Sequence, residues 1–77
     1  MKKISSQNEF ELLKHDNKKF IIENNLSLIV NDGEYFFKIL GDSKFYIVSR
    51  GSSHVHAESW ESSQVHAVSR GSSHVHA

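Results

Sequence analysis

Residues 48–57 read VSRGSSHVHA, and the same ten letters return at 68–77. Between them, ESWESSQVHA at 58–67 keeps six of the ten. Three tandem copies call for a structure in which each copy occupies an equivalent place. The odd positions from 43 onward are Ser43, Phe45, Ile47, Ser49, Gly51, Ser53, Val55, Ala57, Ser59, Glu61, Ser63, Val65, Ala67, Ser69, Gly71, Ser73, Val75 and Ala77. All but Glu61 are small or apolar. The even positions carry Lys44, Tyr46, Arg50, His54, His56, Glu58, Trp60, Gln64, His66, Arg70, His74 and His76. A period of two is that of a strand, with odd side chains inward and even ones outward, and it excludes a helix of period 3.6.

The parity survives every turn. A two-residue hairpin would reverse it, whereas a coil of even length or a hairpin with a three-residue loop keeps it. Inward Ser, Ala, Val and Gly suit a narrow interior, and a unit this small buries its faces only by stacking on neighbours. The sequence therefore predicts a mainly β fold, a small β-solenoid with one decapeptide per rung or two per twenty-residue rung. The alternative is an antiparallel β-meander packed on an N-terminal helix. Inward Ser53, Ser63 and Ser73 are expected to bond one another as a ladder.

Working outward, apolar clusters precede the repeat at FII (20–22), LSLIV (26–30), YFFKI (35–39) and FYIV (45–48). The turn residues ENN, NDG and GDS separate them. These are larger-residue strands of the same series. Ser6 and Glu9 form a capping-box pattern for a short helix with Phe10, Leu13 and Lys14 on one face; an extended strand with Phe10 and Leu12 on one side is the other reading. The chain reads as one domain, 1–77, with a capping half at 1–48 and a decapeptide-repeat half at 49–77. Ala77 closes the last repeat on the inward phase, which leaves a rung edge as a template for another chain and predicts a homodimer.

Composition narrows the function classes. The chain has 77 residues, 38% hydrophobic, with no Cys, so neither disulfides nor a thiolate zinc site exist. A chain this short buries only about 60% of its unfolded surface. Nine basic residues balance nine acidic ones, which gives direct nucleic-acid binding no electrostatic basis. No apolar run approaches a membrane span, and MKKISSQNEF lacks the apolar core of a signal peptide. The expected location is the cytoplasm. No strained nucleophile motif or glycine-rich phosphate loop is present, so the chain reads as a non-enzyme with no cofactor. Thr is absent, which argues against an ice-binding array.

Three groups of side chains remain as candidates for contact. Five of the six histidines lie in the repeat. At a ten-residue period His56, His66 and His76 form one column, a weak metal candidate at the ~4.8 Å strand spacing, and His54, Gln64 and His74 form another. Arg50, Trp60 and Arg70 would stack in a cation–π column, and an exposed Trp between arginines has the composition of an interface hot spot. Trp60, Arg50, Arg70, His54, His56, His66, His74 and His76 are the expected partner-binding residues.

Tandem units of the form G-S-S-x-V-x-A, at Ser52–Ala57, Ser62–Ala67 and Ser72–Ala77, resemble short tandem repeats of phage, prophage and gut-bacterial proteins. The resemblance covers residues 49–77. Those relatives usually repeat at about eight residues, whereas this chain repeats at ten. What the resemblance implies is a phage or mobile-element origin and a β-solenoid, and no catalytic residue carries over. The expected function is a small binding protein, active in an infected or lysogenic bacterial cell, that docks on a host protein or nucleoprotein and blocks it, as anti-CRISPR inhibitors do. The initiating Met1 and small size fit a free-standing product. A structural solenoid module of a phage or surface protein is the alternative, and a His-rich metal-binding surface the third.

Overall fold

The computed structural model describes residues 1–76; Ala77, and with it the inward phase expected there, lies outside the described residues. The chain is a β-solenoid. After the short strand β1 (Lys2–Lys3) and helix α1 (Gln7–Leu13) come β2 (Lys19–Ile22), β3 (Leu26–Val30), β4 (Glu34–Ile39), β5 (Lys44–Ser49), β6 (His54–Ser59), β7 (Gln64–Ser69) and β8 (His74–His76). They divide between two sheets, in the order β1-β2-β4-β6-β8 and β3-β5-β7. We call these sheets A and B. Every pairing is parallel, which rules out the meander, whose neighbouring strands would run antiparallel.

Register settles the length of the coil. Lys19 pairs with Phe36 and Leu26 with Phe45; from there the step is constant, with Glu34 beside His54, Lys44 beside Gln64 and His54 beside His74. One full coil therefore takes two decapeptides, one in each sheet. Successive decapeptides face each other across the core instead of stacking. The inward phase is as expected at Phe45, Ile47, Ser49, Ser53, Val55 and Ala57, which are buried, and at Ser63, Val65 and Val75, which are partly covered; Ser59 and, on the edge strand β7, Ala67 and Ser69 are exposed, because among the described residues no further strand covers β7.

The decapeptide corners use the G-S-S letters, E-S-S at 61–63, for separate tasks. Gly51 has φ 59°, a left-handed conformation that costs glycine nothing, and Ser53 N–H donates to Arg50 C=O at 3.1 Å to close the turn. A Cβ at Gly51 would stand 2.5 Å from the Asn31 carbonyl of the rung below. The first serine bonds to that lower rung: Ser72 Oγ donates to Gly51 C=O at 3.1 Å, and Ser62 Oγ to Asp42 Oδ1 at 2.6 Å. The second serine turns inward. Ser53, Ser63 and Ser73 hydroxyls lie 2.7, 2.6 and 2.6 Å from the carbonyls of Arg50, Trp60 and Arg70. Ser53 Oγ also lies 2.5 Å from Ser49 Oγ. The expected ladder of these serines bonding one another is not formed: the twenty-residue coil places Ser63 at the opposite corner, and the stacked Ser53 and Ser73 direct their hydroxyls to backbone carbonyls and to Ser49 and Ser69.

The N-terminal cap forms as a helix. Ser6 accepts from Glu9 N–H at 3.1 Å, as a capping box requires. The returning bond goes one residue further back: Glu9 Oε1 accepts from Ser5 N–H at 2.7 Å and Ser5 Oγ at 2.6 Å. Those bonds hold the Glu9 carboxyl below its ordinary range. Phe10 is buried, meets Phe20, Tyr35 and Phe37 with ring centroids 5.0–5.9 Å apart, and closes the first rungs. Gln7 finishes the cap: its amide accepts from Ile29 N–H at 2.9 Å and donates to Ile29 C=O at 3.1 Å, standing in for a strand beside β3. No helix among the described residues is long and apolar enough to cross a membrane.

Candidate functional site

A two-sheet coil turns the even positions into two opposite faces. On sheet A the outward side chains are Lys3 from β1, Lys19 and half-buried Ile21 from β2, Glu34, Phe36 and Lys38 from β4, His54, His56 and Glu58 from β6, and His74 and His76 from β8. On sheet B they are Ser27 and Ile29 from β3, Lys44, Tyr46 and Val48 from β5, and Gln64, His66 and Val68 from β7. The registers align them in columns.

Sheet A is polar and titratable. His54 stacks over His74 with centroids 4.8 Å apart, and Phe36, His56 and His76 stack in turn at 4.4 and 5.1 Å. The ring planes in that second column differ by only 11° and 13°, whereas His54 and His74 are tilted by 32°. His56 Nε2 lies 2.9 Å from Glu34 Oε2. Met1, Lys19, Phe36, Lys38, His56 and His76 line a shallow groove of about 420 Å³ that also reaches Glu58.

Sheet B is mostly apolar. Ile29, Val48 and Val68 stand in one column, and Tyr46 stacks on His66 in the next at 4.9 Å. Ile29, Tyr46 and Val68 are 43%, 44% and 48% exposed, an unusual load for one face and comparable to that of Trp60 at 45%. The outward positions of β3, β5 and β7 hold no carboxylate, and Lys44 at the margin is their one fixed charge.

The expected partner-binding residues therefore do not share one surface. His54, His56, His74 and His76 lie together on sheet A. His66 lies across the molecule on sheet B, and so the column His56–His66–His76 does not exist: a twenty-residue coil places the middle copy in the other sheet. Among the described residues, no group of three or more His, Cys, Asp or Glu side chains is placed to hold a metal ion. The Arg50–Trp60–Arg70 stack fails for the same reason. Arg50 and Arg70 occupy one corner, before β6 and β8, while Trp60 sits at the opposite corner before β7. Its cation is Lys38, whose Nζ lies 4.4 Å from the ring centroid.

Ile29, Val48 and Val68 were not singled out from the sequence. The signal was present: Val48 and Val68 are β-branched residues at even positions, twenty apart, where the surrounding pattern calls for polar ones. No protein-family model matches the chain, and no curated protein or solved structure matches it either.

Proposed function

We propose that this chain is a small non-enzymatic binding protein of phage or mobile-element origin, which docks on a host protein or nucleoprotein in the bacterial cytoplasm and blocks it, as anti-CRISPR inhibitors do. One observation carries the docking: the exposed Ile29, Tyr46 and Val68, with half-buried Val48 between Ile29 and Val68, held in register on a sheet with no outward carboxylate. A strand ladder fixes these side chains before binding, so little conformational entropy is lost on contact. The chemistry selects an apolar partner surface able to accept a hydrogen bond from the Tyr46 hydroxyl. The G-S-S-x-V-x-A units support the origin.

Phage plaquing tests the reading. Expression of the chain in a host with an active CRISPR or restriction system should raise plaquing efficiency, and Tyr46→Ala with Val68→Asp should abolish the rise while the protein stays folded. Unchanged plaquing across hosts with different defences would overturn the inhibitor. The second reading, a structural module, draws on the constant twenty-residue register, which lets further coils stack without change. It predicts filaments or stacked oligomers on a sizing column. The homodimer is tested there as well, as a mass of twice 8.8 kDa.

A further inference from the structure

Four imidazoles form a two-by-two grid on sheet A. His54 and His56 project from β6, and His74 and His76 from β8 directly beside them. Along the stack they are 4.8 and 5.1 Å apart. Imidazole changes charge near pH 6.5, the range in which no other ordinary side chain does. The fixed charges facing the grid nearly cancel. They are Lys19 from β2, Glu34 and Lys38 from β4 and Glu58 from β6; at the edge, Lys3 of β1 is engaged by Glu23 at 3.3 Å. Protonation therefore takes this face from near neutrality to a dense cationic array, while sheet B gains only His66.

We propose that sheet A is an acid-gated docking face for an anionic lipid surface. Three observations select that partner. The registers set the two columns side by side on one face of a single sheet, so the charges of the grid are presented together to a bilayer. Phe36 is 38% exposed and Met1 69% exposed beside the cations, which supplies apolar groups for the interfacial layer. The rings of Phe36, His56 and His76 already cover one another's faces. That leaves only the end faces of the column for a nucleic-acid base to stack on, and presents N–H edges suited to phosphate and carboxylate.

The gating follows from the charge of the grid. An anionic surface attracts this face when its imidazoles are charged and has little to attract when they are neutral. Proton uptake and lipid binding are therefore coupled: acid strengthens binding, and bound lipid promotes protonation.

The test is vesicle co-sedimentation of the full chain at constant ionic strength. Vesicles of phosphatidylserine and phosphatidylcholine should bind the chain about tenfold or more tightly at pH 5.5 than at pH 7.5, and pure phosphatidylcholine should not. The variant H54Q/H56Q/H74Q/H76Q should lose the acid-dependent binding. Gln64 occupies in β7 the place that His54 and His74 hold in β6 and β8, so the fold already accepts Gln there. H54Q/H74Q should show an intermediate loss, and H66Q, on the opposite face, should behave as the parent. Binding that is equal at the two pH values, or that survives the fourfold replacement, would overturn the proposal. So would stronger acid-dependent binding to single-stranded DNA than to the vesicles, or displacement by millimolar inorganic phosphate in place of chloride, which would mark a phosphate site instead of a lipid-facing plane.

Discussion

The lower rungs and the upper rungs share a backbone but not an interior. In one inward column of sheet A, Phe20 is followed by Phe37 and then by Ala57. Phe20 and Phe37 are stacked 5.7 Å apart, and Phe37 meets Phe45 at 5.1 Å from the other sheet. Above them the walls are lined by Ser53, Val55 and Ala57, all buried. The lower rungs are held by aromatic area, the upper rungs by strand ladders and by serines that satisfy corner carbonyls. Every buried side-chain polar atom among the described residues has a partner, so the serine interior carries no unpaired group. The contrast shows that a coil repeats its geometry through register and corner chemistry, while one part of the stack supplies most of the hydrophobic stabilisation.

The strongest way to break this comparison is Phe37→Ala, which gives the aromatic rung the residue its upper neighbour already has. It should cost about 3–5 kcal/mol and leave the chain largely unfolded in urea titration at 25 °C. A loss near 1 kcal/mol would show that the aromatic rungs are not the anchor. Gly51→Ala comes next. It combines the left-handed φ with the 2.5 Å approach to Asn31 C=O and should cost about 2–3 kcal/mol. Gly41→Ala has a positive φ but open space at its Cβ, so it should cost about half as much. Equal losses would mean that the corner contact between rungs carries no weight.

Ser53→Ala tests the upper interior. Removing a hydroxyl that lies 2.7 Å from Arg50 C=O and 3.2 Å from Val30 C=O should lower stability by about 1 kcal/mol, read as a fall in Tm of several degrees. Glu61→Gly should act in the opposite direction. Glu61 stands where the other copies have Gly and holds φ 60°, so relief of that conformation, less the added freedom of the unfolded chain, should stabilise by roughly 0.5–1 kcal/mol. The smallest effect concerns the cap. The carboxyls of Glu9 and Glu11 lie below their ordinary 4.5, Glu9 through Ser5 and Glu11 through Lys14 at 2.7 Å. The folded state therefore binds fewer protons than the unfolded one. Their contribution is present above pH 4.5 and fades as pH falls through the lowered values, so helix α1 should loosen first in acid, seen as a loss of amide protection at Phe10 and Lys14 relative to the intrinsic exchange rate at each pH.

Much of the fold was legible because strand parity is a local property. Phe45, Ile47, Ser53 and Val55 declare their phase through their nearest neighbours, and Ser6 and Glu9 mark the helix start in four letters. The two-residue strand β1 was not legible: two lysines carry no apolar alternation, and their pairing with Phe20 and Ile21 depends on Ile4 being drawn into the core. The candidate site was legible only in its ingredients. His54, His56, His74 and His76 could be named, but not as a group that excludes His66.

The amino-acid pattern by itself determined that the chain is mainly β, that odd positions of the repeat point inward, that corners fall at the turn letters between the apolar clusters and that the N-terminal half caps the stack, with a capping box marking a helix start. These follow from side-chain alternation, left-handed turns and capping, all set within a few residues. Only the tertiary structure decided that two decapeptides complete a coil. That choice depends on how far the chain must travel around a core of Phe20, Phe37 and Phe45 before it can pair with itself. It placed alternate copies on opposite faces, giving the molecule one imidazole face and one apolar face instead of a single mixed surface.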